Sequence, residues 1–133
     1  MKKNIEIVKV TYEDVQNLQK DKQLGKQLEM SWGCLVENSS LLLFKQNGNI
    51  CALISFSQDT TSKNTIFIDE FEVLKNYRKQ GIGKQIINEF IQSRNSNIRL
   101  LAKNESVEEF WYKCGFQLEY ESDDEIPMIY IQP

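Results

Sequence analysis

Residues 66–92 read IFIDEFEVLKNYRKQGIGKQIINEFIQ. Residues 66–73 are mostly apolar and β-branched or aromatic, with acids set among them, which predicts a strand. Residues 78–83 form a basic loop that carries two glycines. Beyond the second glycine, apolar residues recur at helical spacing, so a helix begins there: Ile86, Ile87, Phe90 and Ile91.

A strand, a glycine loop and a helix in this order create a site for an anion. The first amides of a helix lack internal partners and carry the positive end of its dipole. Glycines let a phosphate approach those amides without a Cβ in the way. Arg78, Lys79 and Lys84 add positive charge on either side of the loop. The sequence therefore predicts phosphate binding at residues 80–84.

Two common phosphate motifs do not fit this loop. A Walker loop needs a glycine where Arg78 stands and a Ser or Thr where Gln85 stands. The dinucleotide fingerprint needs a third glycine in place of Ile86. What remains, Arg-x-x-Gly-x-Gly after an acid-rich strand, resembles the pyrophosphate-binding motif of the GNAT superfamily of acyl-CoA N-acetyltransferases. The residues that carry the resemblance are Val73, Tyr77, Arg78, Gly81, Ile82 and Gly83.

Length and composition exclude several other classes of protein. The chain of 133 residues suits one domain spanning residues 1–133. A net charge of −3 gives no basic surface for nucleic acid, and no apolar run approaches the roughly 20 residues that cross a bilayer. The N-terminal residues lack the apolar core of a signal peptide. Three cysteines and no histidine indicate reduced thiols in a cytoplasm and no metal site.

The remaining elements follow from local patterns. Before the central stretch we expect a strand over residues 4–10, a helix over 11–18 that is capped by Thr11, and a second helix over 21–32. Two further strands follow over residues 41–45 and 50–57. The last two strands are joined by Asn47-Gly48, which is the strongest short hairpin signal. After the long helix we expect a parallel strand over residues 98–102 and a helix over 104–114, which is capped by Asn104 or Ser106 and ended by Gly115. Two last strands follow over residues 116–120 and 128–131.

This order of elements is the order of the GNAT fold. The resemblance implies a single domain of the α+β (mixed α/β) class, built on a mostly antiparallel sheet of about seven strands. Strands 4 and 5 are parallel and splayed apart, and helices cover both faces. Acetyl-CoA, as co-substrate, lies in the opening. The implied cofactor-binding residues are Phe71, Val73, Arg78, Lys79, Gln80, Gly81, Ile82, Gly83, Lys84, Asn104 and Trp111, with Arg78 either touching phosphate or bracing the loop.

The resemblance also implies direct transfer of an acetyl group to a primary amine, which requires a base. The chain has no histidine, so a carboxylate on the central strand is the natural choice. Glu70 is the first choice, with Glu72 and Asp69 as alternatives. In a regular strand Glu70 and Glu72 share one face and Asp69 points to the other, but a bulge, which the family usually has, would change this parity.

A second family motif, in residues 110–116, departs from the usual pattern. The family often places a tyrosine there, which protonates the departing CoA thiolate. Counting from Gly115 puts Trp111 at that position and Tyr112 one residue later, which is about 100° around the helix. An indole N–H donates a hydrogen bond but no proton near neutral pH. Either Trp111 only lines the thioester pocket, or the helix is rotated and Tyr112 serves as the acid. We expect the first, with solvent protonating the thiolate.

Other residues have simpler interpretations. Cys114 has no base beside it in sequence and is expected to be a core thiol. Glu29 and Trp32 fall where the family often lines its acceptor site, and equally suit a surface acid and a core aromatic. The acidic loop 121–125 attracts a cationic acceptor or is simply solvated.

Three functions compete at this point. The first is an acetyl-CoA-dependent N-acetyltransferase for a small-molecule or peptide amine, without nucleic acid, membrane or metal and compatible with a homodimer. The second is an acyl-CoA sensor or interaction module that keeps the cleft but lacks catalysis. The third, a nucleotide-binding α/β protein, predicts stabilisation by ATP rather than by CoA.

Overall fold

The computed structural model describes residues 4–26 and 40–133 of the chain. The elements in order are β1 (Ile5–Val10), α1 (Tyr12–Gln19), α2 (Lys22–Lys26), β2 (Ser40–Gln46), β3 (Asn49–Gln58), β4 (Thr65–Val73), α3 (Ile82–Ser93), β5 (Asn97–Ala102), α4 (Glu105–Lys113), β6 (Gln117–Leu118) and β7 (Ile126–Tyr130). The expected order is confirmed. Of the predicted helix 21–32, the described part is α2, while Glu29 and Trp32 lie outside the described residues.

The strands form one seven-stranded sheet in the order β1-β2-β3-β4-β5-β7-β6. The first four strands pair antiparallel in sequence order, and the hairpin between β2 and β3 turns at Asn47 and Gly48, both with positive φ. Only β4 and β5 pair parallel, because α3 provides the crossover between them. The α+β class with a mostly antiparallel sheet is therefore confirmed.

Two apolar layers hold helices against the two faces of the sheet. One layer packs α3 and α4 on the sheet through fully or nearly fully buried residues such as Ile86, Phe90 and Trp111. The other packs Val15 of α1 and Leu24 of α2 on β2 and β3. Each fully buried Ile or Phe stabilises the fold by roughly 1.5–3 kcal/mol, so the α3 layer dominates the core.

The last strand pair is shorter than predicted. We expect a strand over residues 116–120, whereas β6 covers Gln117–Leu118 alone. The amide of Glu119 still donates to the Pro127 carbonyl at 2.8 Å, but Pro127 has no N–H to return a bond, so the ladder ends there. Beyond this point the Glu119 side chain turns to Arg99 on β5.

Candidate active site

Strands β4 and β5 run side by side over only a short distance. Residues 65–67 pair with residues 97–99, and the pairing stops there although both strands continue. A cavity of about 610 Å³ fills the opening beyond this point. It is lined by residues of β4, β5, the glycine loop and α4, which are the elements the sequence predicts around the cleft.

Many of the residues singled out in the sequence line this cavity: Asp69, Glu70, Phe71, Glu72, Val73, Arg78, Lys79, Gly83 and Trp111. Five others lie outside its lining: Gln80, Gly81, Ile82, Lys84 and Asn104. The side chain of Ile82 is buried in the α3 layer, so this residue can offer a ligand only its backbone amide. The structure therefore places the first group in the cleft and leaves the second group, four of whose five members belong to the glycine loop and the start of α3, outside its lining.

Strand β4 contains a bulge at Asp69. On β3, Ser55 pairs with Glu70 and the next residue, Phe56, pairs with Ile68, so the register skips Asp69 as the extra residue of β4. The residues of β4 that pack in the α3 layer are accordingly Ile66, Ile68, Phe71 and Val73. The extra residue shifts the alternation by one position. Glu70 and Glu72 therefore share the opposite face, and Asp69 is exposed at the bulge.

Glu70 occupies a largely buried position at this bulge. Its side chain is 16% exposed, and its Oε2 lies 3.3 Å from the Lys103 Nζ at the end of β5. That contact lacks hydrogen-bond geometry, and within the described residues Oε2 has no hydrogen-bond partner. The Oγ of Ser55, its fully buried cross-strand neighbour, is likewise unpartnered there. Two buried polar atoms thus remain available for a ligand or water at one point of the cleft.

Glu72 is held differently, by Arg78. The Glu72 side chain is 9% exposed, and its Oε2 lies 3.4 Å from Arg78 Nη2. The Nε of Arg78 also donates to the Val73 carbonyl at 2.8 Å. Arg78 therefore braces the end of β4 in this structure. The guanidinium thus engages the Glu72 carboxylate directly.

The open edge of β4 presents backbone groups to the cavity. The Leu74 amide donates to the carbonyl of Cys51 in β3, so the backbone N–H of Leu74 points toward that strand. Backbone groups alternate in direction along an antiparallel strand, so those of Val73 and Phe71 point to the other side, where β5 has separated. The Val73 carbonyl is occupied by Arg78, which leaves the Val73 amide and the Phe71 backbone facing the opening.

The glycine loop presents a series of backbone amides. Lys79 and Gly81 both adopt left-handed backbone conformations, with φ of +62° and +75°. Gly81 caps α3 without a side-chain hydrogen bond. In the described chain, no hydrogen bond outside the helix uses the amides of residues 79–84 as donors. These amides and the dipole of α3 therefore converge on a position that suits an anion.

Helix α4 closes the apolar side of the cleft. The Asn104 side chain caps this helix by accepting from the Val107 amide at 3.0 Å. Trp111 is buried and packs edge-on against Phe71 and Phe110. Tyr112 points away, as its position on the helix predicts, and its hydroxyl donates to Glu108 at 2.8 Å. This hydrogen bond raises the pKa of Tyr112.

Cys114 is a buried core thiol. Burial raises its pKa to about 11, although the nearby positive charge of Lys84 acts in the opposite direction. A thiol with so high a pKa carries almost no thiolate at neutral pH. Cys114 is therefore excluded as a nucleophile, as its sequence context predicts.

The sequence analysis did not identify several residues that lie in or beside the cleft. Lys103, Val107 and Phe110 line the cavity, and Ser55 lies beside Glu70 across the strand pair. Only Lys103 carries a signal: it follows the strand predicted over 98–102, and ligands in open α/β sheets bind beyond the carboxyl ends of strands.

Among residues 4–26 and 40–133, no group of three or more Cys, Asp or Glu residues is arranged to hold a metal ion. No helix in the same residues is long and apolar enough to span a bilayer.

Comparison with known proteins identifies the family. The model of the Acetyltransferase (GNAT) family matches residues 5–116, which cover both the glycine loop and the residues around Trp111. The chain belongs to this acetyltransferase family. No curated protein sequence matches it significantly.

Solved structures show the same fold across nearly the whole chain. The chain is similar to GCN5 from Tetrahymena, at 17% identity over 94% of each chain with a TM-score of 0.69. It is similar to an acetyltransferase from Bacillus subtilis in complex with CoA, at 17% identity over 96% of this chain and 95% of that one, with a TM-score of 0.60. A spermidine N-acetyltransferase chimera from Vibrio cholerae and hSSAT has 13% identity, 96% and 95% coverage and a TM-score of 0.65. At these identities the likeness establishes the fold alone.

Proposed function

We propose that this protein is an N-acetyltransferase that moves an acetyl group from acetyl-CoA directly to a primary amine. The observation that carries the proposal is the opening between β4 and β5, which ends at unused amides of the glycine loop. A thioester arm requires a narrow, partly apolar cleft, and a diphosphate requires converging donors. The cavity of about 610 Å³ provides the cleft, and the glycine loop borders it at Lys79 and Gly83.

Binding would use the backbone more than side chains. The Val73 amide and the Phe71 backbone would pair with the amides of the pantetheine arm, as an added strand does. The amides of residues 80–84 would bind the diphosphate, with Lys79 and Lys84 supplying charge. The solved complex of the similar Bacillus subtilis protein with CoA supports this choice of ligand.

Glu70 would act as the base. The acceptor ammonium loses a proton to Glu70, and its nitrogen then attacks the thioester carbonyl carbon. The C–N bond forms as the C–S bond breaks, the nitrogen loses its second proton to solvent, and the sulfur leaves with the electron pair as a thiolate. The Nζ of Lys103 lies 3.3 Å from the Glu70 carboxylate. Glu72 is the weaker candidate because Arg78 engages it.

The departing thiolate would take its proton from solvent. Trp111 occupies the pocket but has no acidic proton, and Tyr112 faces away toward Glu108. A free thiol has a pKa of about 8.5, so an unaided thiolate is a tolerable leaving group. Reduced thiols and acetyl-CoA are both found in the cytoplasm, where we place the protein.

A second candidate function is an acyl-CoA-binding module without catalysis. The observation that favours it concerns Trp111 and Tyr112 of α4, since neither residue can serve as a general acid in the cleft. Such a module would bind CoA in the same way but turn over no amine.

One experiment separates these functions. Thermal stability is measured with CoA and with ATP, and release of free thiol from acetyl-CoA is then followed with a panel of primary amines. Stabilisation by CoA together with amine-dependent release of thiol supports the transferase. Stabilisation by CoA without turnover on any amine supports the module. Stabilisation by ATP alone contradicts both.

A further inference from the structure

A second cavity, of about 590 Å³, lies on the face of the sheet opposite α3 and α4. Its floor contains Phe67 of β4, Leu101 of β5 and Pro127 of β7. Leu101 and Leu100 line this cavity and the acyl-CoA cleft alike. The two cavities therefore meet where β4 and β5 part, on the side from which an acceptor could reach the cleft.

The floor of this second cavity lies close to Glu70. On β3, Ser57 pairs with Phe67 and Ser55 pairs with Glu70. These partners are two residues apart on β3, which corresponds to about 7 Å along the strand. Because of the bulge at Asp69, Phe67 and Glu70 also share one face of β4. A molecule resting on Phe67 would thus bring a nitrogen at its end close to the Glu70 carboxylate.

The walls of the second cavity expose apolar surface that folding does not bury. Leu101 is 44% exposed and Tyr120 is 55% exposed, although both border a concave site. Isolated exposed apolar residues are common on protein surfaces. Here Leu101 and Tyr120 line one concavity with Phe67 and Pro127, which favours a ligand with an apolar body.

The charge of the second cavity disfavours an anionic ligand. Arg99 is the one cation among its described lining residues, and its donors are already engaged. Its Nε and Nη2 donate to Glu119, and its Nη1 donates to Asp59 and Ser62. Hydrogen bonds from Thr61 and then Arg99 lower the pKa of Asp59 to about 2, so it stays ionised at neutral pH. Two acids against one base give the site a net charge of −1.

We propose that the acceptor of this acetyltransferase is a small primary amine on an uncharged apolar body, without a carboxylate, bound on Phe67, Leu101 and Tyr120. The inference rests on the proposed function and specifies the acceptor class. An amino acid would add a carboxylate to a site whose described lining residues already carry a net charge of −1, and the one cation among them, Arg99, is engaged by Glu119 and Asp59.

A polyamine or a basic peptide fits these observations less well. Such acceptors need several separated acids, and the acid-rich loop 121–125 could provide them. That loop, however, lines a different cavity, which shares no lining residue with the one on Phe67.

The experiment compares phenethylamine with phenylalanine, because the two differ only by a carboxylate. Spermidine and a lysine-containing peptide complete the panel, and release of thiol from acetyl-CoA is the readout. We expect kcat/KM for phenethylamine to exceed that for phenylalanine by about tenfold or more. Leu101→Ser should raise the KM for phenethylamine by about tenfold and the KM for acetyl-CoA by much less, since Leu101 also borders the acyl-CoA cleft. Leu118→Ser, which removes an exposed leucine outside both cavities, is the matched control.

Each other outcome has a defined meaning. Equal or better turnover of phenylalanine, spermidine or the peptide overturns the proposed acceptor class while leaving the transferase intact. Binding of CoA without turnover of phenethylamine also overturns it. If Leu101→Ser and Leu118→Ser raise the KM for phenethylamine equally, the acceptor does not bind on Leu101 and the proposed site is wrong. A chain that neither binds CoA nor acetylates any amine overturns the proposed function, and this inference with it.

Discussion

Gly83 lies directly against the ring of Phe110, and a Cβ built on Gly83 would stand 3.3 Å from Phe110 Cε1. The same Cβ would be 3.6 Å from Val73 Cγ2. Gly83 thus joins three walls of the cleft: the glycine loop, the end of β4 and α4. The absence of a side chain at this position lets α3 begin beside the cavity and keeps Phe110 in its lining.

Gly83→Ala is therefore expected to weaken CoA binding. The added methyl group must displace the Phe110 ring, which lines the cavity, so we expect about a tenfold rise in the Kd for CoA. Isothermal titration calorimetry measures this change. Gly25→Ala is the control, because a Cβ there meets nothing within 4 Å. Gly25→Ala should leave the Kd unchanged and stabilise α2 by up to about 1 kcal/mol. Equal affinities in both variants would contradict the role given to Gly83.

Glu70→Gln is expected to lower kcat by roughly 10²- to 10⁴-fold, because an amide cannot accept the proton of the acceptor ammonium. The KM for acetyl-CoA should change little. Steady-state kinetics with the best amine of the panel provide the measurement. Asp69→Asn, at the exposed bulge position beside it, is the matched variant and should retain most of the activity. If Asp69→Asn proves the more damaging change, the base is assigned to the wrong carboxylate.

Tyr112→Phe is expected to leave kcat within about twofold of the wild type. The hydroxyl donates to Glu108 on the outer surface of α4 and does not reach the cavity. Removing an exposed hydrogen bond of this kind changes stability by no more than about 1 kcal/mol. The measurement is kcat at neutral pH together with a denaturation curve. A loss of kcat above tenfold would show that Tyr112 supplies the proton to the thiolate.

Asp59→Asn should make the stability of the protein less dependent on acid pH. The folded state lowers the pKa of Asp59 from 3.8 to about 2, through hydrogen bonds from Thr61 and then Arg99. A lowered pKa gives stabilisation that is complete above the ordinary pKa and is lost as the pH falls through the folded value. We expect Asp59→Asn to lose about 1 kcal/mol at pH 7, and the difference from wild type to vanish near pH 2.

Urea denaturation at several pH values between about 2 and 7 tests this expectation. Asp124→Asn serves as the control, because Asp124 lies exposed in the loop 121–125. A loss of stability for Asp59→Asn that is the same at every pH would show that the carboxylate acts through packing rather than through its charge.

Local signals were sufficient to predict most of the fold. The Asn47-Gly48 turn requires positive φ at both residues, and the sequence provides the two residue types that tolerate it. The period of Ile86, Ile87, Phe90 and Ile91 gives the buried face of α3. The left-handed backbone at Gly81 has the same origin, since glycine permits this conformation.

The site was less predictable where it depends on pairing between distant strands. The bulge at Asp69 is set by the register between β3 and β4, which no local pattern reveals. The partners of Arg99 come from positions 40 and 20 residues away along the chain. The sequence left two roles open for Arg78, contact with phosphate or support of the loop. Its hydrogen bond to the Val73 carbonyl is visible only in the three-dimensional structure.

The extra residue of the bulge at position 69 also affects how this segment should be aligned with other proteins. Counting residues without a gap across Asp69 would equate side chains of opposite orientation, so that an acid at the cleft is matched with an apolar residue of the core. A comparison by orientation requires a shift of one position for everything between Glu70 and Val73. Chains that lack the insertion would present a different set of side chains to the acceptor, even where their letters coincide with these.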